Sequence, residues 1–209
     1  MIRLAIVVEG ETEEEFVNNL LTPHLHTYGV SATPHPLGGN VTVERLASEM
    51  VNYFWSYDRV TSLVDFYGFR NKGEVSREDL QAQILKQVDA GIKVSWDQSR
   101  VIPYVQQYEF EALLFSKVAV FEELRDSPSN LVQKLEAIRT NVSTPEDIND
   151  GKDTHPSRRI AELIPSYQKR VIGPYLAELI GLSVIRSACP RFGRWIDSLE
   201  SLQQRNALA

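Results

Sequence analysis

The run RLAIVV at residues 3–8, closed by Glu9-Gly10, constrains this chain more than any other segment. A continuous apolar run with no polar alternation suits a strand buried on both faces, as in a parallel sheet. A parallel strand needs a crossover, and the next residues supply one. Thr12 is expected to cap a helix, with Glu15 three residues on as its capping-box partner. Phe16, Val17, Leu20, Leu21 and Leu25 give that helix an apolar face.

The same alternation continues. A second strand is expected over 30–36, where Pro34 and Pro36 assign it to an edge. Gly38-Gly39-Asn40 reads as a turn. Residues 42–55 place Val43, Leu46, Ala47, Met50, Val51 and Phe54 at helical spacing. VTSLVDF at 60–66 reads as a third strand. Gly68 to Gly73 is polar, and residues 76–91 form a helix capped by Ser76. RVIPYVQQY at 100–108 reads as a fourth strand interrupted by Pro103. The pattern βαβαβαβ predicts a mostly parallel four-stranded sheet with helices on both faces. Residues 109–140 look helical, with a break at Ser127-Pro128. A polar loop follows over 141–156, then helices near 157–164, 174–180, 182–188 and 190–205. The expected organisation is an α/β core over 1–116 and a helical extension over 117–209, packed as one structural unit.

A length of 209 residues, 43% of them hydrophobic, suffices for such a core without staples. The single cysteine, Cys189, excludes a disulfide framework and a cysteine-based zinc site. No apolar run reaches membrane-spanning length and no signal peptide is read, so a soluble, cytoplasmic protein is expected. The net charge of −6 argues against a generic nucleic-acid coat. The charge is uneven, however. Residues 1–149 hold 13 Lys/Arg against 22 Asp/Glu, and residues 150–209 hold 9 against 6. That division suits a metal site beside a phosphate-binding surface; drift in composition explains it as well.

The chemistry is expected where strands end. In an open parallel sheet, residues beyond the C-terminal strand ends gather at one edge, where ligands bind. Strand one ends in Glu9, strand three at Asp65, and strand four at Glu109 with Glu111 two residues later. Gathered carboxylates repel one another, and a hard cation such as Mg²⁺ resolves the conflict with a few carboxylates, waters and phosphate oxygens. The plainer readings are a polar strand exit for Glu9, a turn cap for Asp65, and first-turn helix acids for Glu109 and Glu111. In extended chain Glu109 and Glu111 share a face; in a helix only one of them reaches the rim. Lys72, Arg158 and Arg159 are candidate phosphate contacts, with Pro156-Ser157 opening a helix whose N–H groups attract anions. A solvated helix face is the plainer account of the two arginines. His24 and His26 do not share a helical face, which disfavours zinc. Tyr67, Phe69 and Tyr108 are candidates for base stacking or for core packing.

With these residues in hand, VVEGETEEEFV at 7–17 resembles the first motif of Toprim domains. These are the Mg²⁺-binding modules of topoisomerases, primases and overcoming-lysogenization-defect nucleases. The whole chain more closely resembles a bacterial Toprim-like family known as domain of unknown function 4276. The matching segments are VEGETEEEF at 8–16, VDFYGF at 64–69, YEFEALLF at 108–115, PSRRI at 156–160 and CPRFGRWIDSL at 189–199. The resemblance implies a Toprim-like, Rossmann-like fold. It implies Glu9 as a catalytic or metal-linked acid and Asp65 as the first acid of an Asp-x-Asp motif. Position 67 is Tyr where that motif has its second Asp. The missing ligand is absent or supplied by Glu109 or Glu111. The expected function is Mg²⁺- or Mn²⁺-dependent phosphodiester chemistry on nucleic acid, with Glu9 and Asp65 as the catalytic pair. The resemblance also implies an ATPase partner in a phage-defence type module, and a homodimer is allowed. The alternative is a catalytically silent module that docks the ATPase. A phosphotransferase or small-nucleotide hydrolase is a third class, and no Walker motif marks an ATPase on this chain.

Overall fold

The computed structural model describes residues 1–70, 72–125, 128–148 and 154–203. Asn71, Asp126, Ser127, residues 149–153 and residues 204–209, which include parts of the expected polar loop and of the expected last helix, lie outside the described residues. The chain divides into two compact units, Met1–Gln106 with Ser198–Ala209, and Gln107–Asp197.

The first unit is the sheet. Strand β1 (Ile2–Val8) is buried at every position but Arg3. It pairs in parallel with β2 (Val30–Pro36) on one side and β3 (Arg59–Asp65) on the other. The order is β2-β1-β3-β4, so β2, with its two prolines, is the edge strand that sequence predicts. Helix α1 (Glu11–Phe16) leads through a π-helical turn, Val17–Leu21, into α2 (Thr22–His26). Pro23 has no N–H to return to the preceding turn, and that turn is the one that widens. The cap differs from expectation. The helix starts two residues earlier, with Gly10 as N-cap and Thr12 buried inside the first turn. Glu13, not Glu15, reaches back, its Oε2 accepting the Gly10 N–H at 3.0 Å.

Helix α3 (Val43–Phe54) is capped by Thr42, whose hydroxyl accepts the Arg45 N–H. Helix α4 (Arg77–Ile92) is capped by a reciprocal Ser76–Asp79 pair. Leu46, Met50 and Phe54 of α3 and Leu80, Ile84, Val88 and Ile92 of α4 bury their apolar faces in one core with Val7, Val60 and Val64 of the sheet.

The expected fourth strand is two short pieces, β4 (Val101–Ile102) and β5 (Val105–Gln106), each parallel to β3. Pro103 interrupts the ladder, and a side chain repairs it. The fully buried Ser62 hydroxyl accepts the Tyr104 N–H at 3.0 Å and donates to the Tyr104 carbonyl at 2.9 Å. One hydroxyl thus satisfies both backbone groups of Tyr104.

The second unit is helical, but not as expected over 109–140. Two 3-10 stretches, Phe110–Ser116 and Val118–Glu123, precede α5 (Leu131–Arg139). All six residues from Phe110 to Phe115 are buried, so this segment has no polar face and reads only loosely as an amphipathic helix. Helices α6 (Pro156–Leu163), α7 (Lys169–Ile180), α8 (Leu182–Ala188) and α9 (Pro190–Glu200) follow. Helix α7 begins five residues before the expected start and carries Pro174 inside it. It meets α8 at 89° across Gly181. No single described helix is long and apolar enough to cross a membrane. The buried Glu146 carboxylate accepts the N–H groups of Arg191 at 2.8 Å and Phe192 at 2.9 Å, capping α9.

The Ser62 repair is directly measurable. Ser62→Ala leaves a buried N–H and carbonyl of Tyr104 unpaired and is expected to cost about 2 kcal/mol. Urea denaturation reads this as a lowered midpoint at unchanged slope; an unshifted midpoint contradicts it.

Candidate functional site

The parallel register decides which sequence-predicted acids meet. Val8 of β1 pairs with Leu63 of β3, so Glu9 and Asp65 leave adjacent strands at the same edge of the sheet. Glu9 Oε2 accepts the Asp65 N–H at 3.2 Å. Asp65, the last residue of β3, is 4% exposed. The chain then turns through Phe66–Gly68, a 3-10 segment. Gly68 lies against the Glu9 carboxylate: a Cβ there would come within 2.2 Å of Oε2. Glycine at this position is what lets Glu9 occupy its place.

The strand beside β1 completes the surroundings of Glu9. The Glu9 carbonyl accepts the Gly39 N–H at 3.0 Å. Gly38, Gly39 and Asn40 all have positive φ, of 72°, 79° and 54°. This turn is held by the Arg45 guanidinium, which donates to the carbonyls of Leu37, Gly39 and Asn40. Val41 bridges to Phe69, and the Arg70 N–H bonds to the Val41 carbonyl, fastening the turn to the loop after β3.

Glu13 belongs to this description although the expected site omits it. Its carboxyl group is 3% exposed and bonded to the N-cap N–H that directly follows Glu9. The signal was present: an acid four residues after Glu9, across a helix start. Of the aromatic candidates here, Phe69 packs in the core and Tyr67 is 38% exposed. Lys72 lies over the rings of Phe66 and Tyr67, at 4.8 and 5.3 Å from their centroids.

The other predicted acids belong to the second unit and have partners there. Glu109 is extended, with φ −143° and ψ 156°, while Glu111 enters the first turn of the 3-10 segment. Glu109 Oε2 accepts the Ser157 N–H at 2.9 Å and lies 3.3 Å from His155 Nδ1. The N-terminus of α6, expected to draw phosphate, therefore holds a protein carboxylate. Ser157 Oγ lies 3.1 Å from the same Nδ1. Serine and glutamate share one ring nitrogen, so this trio lacks the two-sided relay of a hydrolase triad. Arg158 pairs with Glu162 at 2.8 Å, and Arg159 donates to the Thr154 carbonyl at 2.6 Å. Both arginines serve their own helix.

Glu111 is fully buried. Lys169 Nζ lies 3.0 Å from its Oε2, and the Tyr167 hydroxyl donates to Oε1 at 3.4 Å. Burial pushes the Glu111 carboxyl above its ordinary value; the Lys169 ammonium opposes this and the Glu109 carboxylate adds to it. Burial, then the Glu111 charge, raises the Tyr167 hydroxyl in turn.

The Glu9–Asp65 edge offers hard carboxylate oxygens and a glycine cradle that a Cβ would fill. Among the described residues, no three His, Cys, Asp or Glu gather as a metal-holding group. These facts fit a Mg²⁺-type cation, which binds through one or two carboxylates and keeps its waters, and do not fit an all-protein cage.

The fold has solved counterparts. The C-terminal region of the Burkholderia pseudomallei OLD protein is similar over 100% of both chains, at 18% identity and a TM-score of 0.55. The C-terminal region of the Xanthomonas campestris pv. campestris OLD protein aligns over 99% of this chain and 98% of its own, at 16% identity and a TM-score of 0.49. The former likeness establishes the Toprim-like α/β class expected from the sequence. No curated protein matches the chain. The family model "Domain of unknown function (DUF4276)" matches residues 8–200, and the chain belongs to that family.

Proposed function

We propose that this chain carries out divalent-metal-dependent phosphodiester chemistry on nucleic acid. One observation carries the reading: the Glu9 carboxylate bonds to the Asp65 N–H and lies against Gly68 where two adjacent parallel strands end. Ligands of open α/β sheets bind at that edge. Glu9 and Asp65 are the residues that would hold Mg²⁺ or Mn²⁺. Such a cation polarises a phosphate oxygen and stabilises transition-state charge. Glu9 serves as a ligand or as the general acid–base group, held in place by the Asp65 N–H. The buried Glu13 carboxylate bonds to the Gly10 N–H, the next residue in the chain after Glu9. Glu109 and Glu111, bonded within the second unit, are assigned to its architecture.

The partner assigned by resemblance is an ATPase of a phage-defence type module. The similar solved chains are themselves regions of longer proteins. That supports a domain working with others. A second reading, a silent docking module, is favoured by the absence of a three-ligand group among the described residues. Metal affinity separates the two.

Titration calorimetry of the full chain with Mn²⁺ is expected to show binding that Glu9→Gln and Asp65→Asn each weaken by about 10- to 100-fold. Both substitutions keep side-chain size, and circular dichroism checks the fold. Wild type without binding at millimolar Mn²⁺ leaves the docking module as the better account.

Gly68→Ala tests the cradle independently. Its Cβ meets the end of the Glu9 side chain, so the carboxylate moves and the backbone need not. We expect about a tenfold loss of Mn²⁺ affinity for a stability cost of about 1 kcal/mol. Unchanged affinity contradicts the geometry.

A further inference from the structure

The turn after β3 carries more than an acid. Asp65 precedes it, Gly68 ends it against the Glu9 carboxylate, and Phe66 and Tyr67 form its body. The chain then folds back so that the Lys72 ammonium lies 4.8 Å from the Phe66 ring centroid and 5.3 Å from that of Tyr67. Both distances are within the range where a ring face attracts a cation. Phe66 packs against the sheet core, whereas Tyr67 is 38% exposed, so the shelf has an anchored side and an open side.

How the lysine is held decides what it can do. A carboxylate partner fixes an ammonium and cancels its charge. Ring faces fix it through their quadrupole and leave the charge available. Partial burial lowers the Lys72 ammonium from its ordinary value, and among the described residues no carboxylate acts against that. A surface lysine normally loses rotamer freedom when it binds an anion. A lysine resting on two rings has surrendered part of that freedom in advance. The two α6 arginines are engaged elsewhere, Arg158 with Glu162 and Arg159 with the Thr154 carbonyl.

We infer that Phe66 and Tyr67 form a shelf that presents Lys72 to a phosphodiester group at the Glu9–Asp65 edge. Lys72 is then a binding residue, and the two aromatic residues are positioning residues that act through it. The inference rests on the phosphodiester reading above and extends it to the anion. The ligand class is the sugar–phosphate backbone of a nucleic acid. An ammonium meets phosphate as a point charge, so this contact carries no base preference.

The test is fluorescence anisotropy of a short fluorescein-labelled single-stranded DNA with the full chain, across a salt series, in EDTA and in Mn²⁺. Lys72→Met is expected to weaken binding about tenfold and to reduce the salt slope by about 0.7, the share of one phosphate contact on single strands. Lys72→Arg keeps affinity within about twofold, since the charge remains. Tyr67→Phe keeps the ring and binds as wild type, whereas Tyr67→Leu loses about threefold with Lys72 intact. Thermal denaturation confirms that each variant folds. Lys72→Met with wild-type affinity and slope overturns the inference, as does a wild type that binds no DNA. The metal reading is judged apart, by Mn²⁺ calorimetry. Lys72-dependent DNA binding in EDTA without Mn²⁺ binding supports the shelf and sinks the metal. Mn²⁺ binding with an indifferent Lys72→Met does the reverse.

Discussion

One hydrogen bond organises the candidate edge of the sheet: the Glu9 carboxylate accepts the Asp65 N–H. Bonds to ionised acceptors contribute about 1.5–3 kcal/mol, but the geometric consequence is larger. The bond forms because β1 and β3 are parallel neighbours in a register that brings their last residues together. It persists because position 68 has no side chain. Around it, the Glu9 carbonyl anchors the Gly38–Asn40 turn, and Arg45 donates to the carbonyls of two of its left-handed residues, Gly39 and Asn40, and to that of Leu37. Together these contacts fix the segment that carries the carboxylate on which the proposed chemistry depends.

The two units use acidic side chains differently. In the sheet unit, Glu9 and Asp65 stand where adjacent strands end, and Glu13 stands where a helix starts. In the helical unit, carboxylates complete helices. Glu109 fills the N-terminus of α6, Glu146 caps α9, and Glu111 makes a buried pair with Lys169. Helix N-termini favour anions whether these come from a ligand or from the protein. The same physics that would bind phosphate at α6 binds Glu109 there.

Much of the sheet unit was legible because its signals are local. RLAIVV needs burial on both faces, α3 and α4 carry their caps and apolar stripes in plain view, and the prolines of β2 mark an edge. What escaped was set by tertiary contact. The true N-cap, Gly10, has no side chain to advertise it, and Glu13 outcompeted Glu15 for its N–H. The fourth strand splits at Pro103 because Ser62, forty-two residues from Tyr104, completes the ladder. FEALLF is a fully buried 3-10 segment, which periodicity alone does not reveal. That Glu9 and Asp65 leave adjacent strands at one sheet edge followed from topology. The Ser157 N–H on Glu109 and the Lys169 ammonium on Glu111 did not, since strand-end position says nothing about a group that arrives from a later helix. Gly68 carried no signal until its missing Cβ was set against Glu9.

Anomalous diffraction from crystals of the full chain soaked in Mn²⁺ would locate a cation at the ends of β1 and β3. One strong peak is expected within coordination distance of oxygens from both Glu9 and Asp65, with water completing the shell. No peak at that edge, or a peak held by other residues, would contradict it.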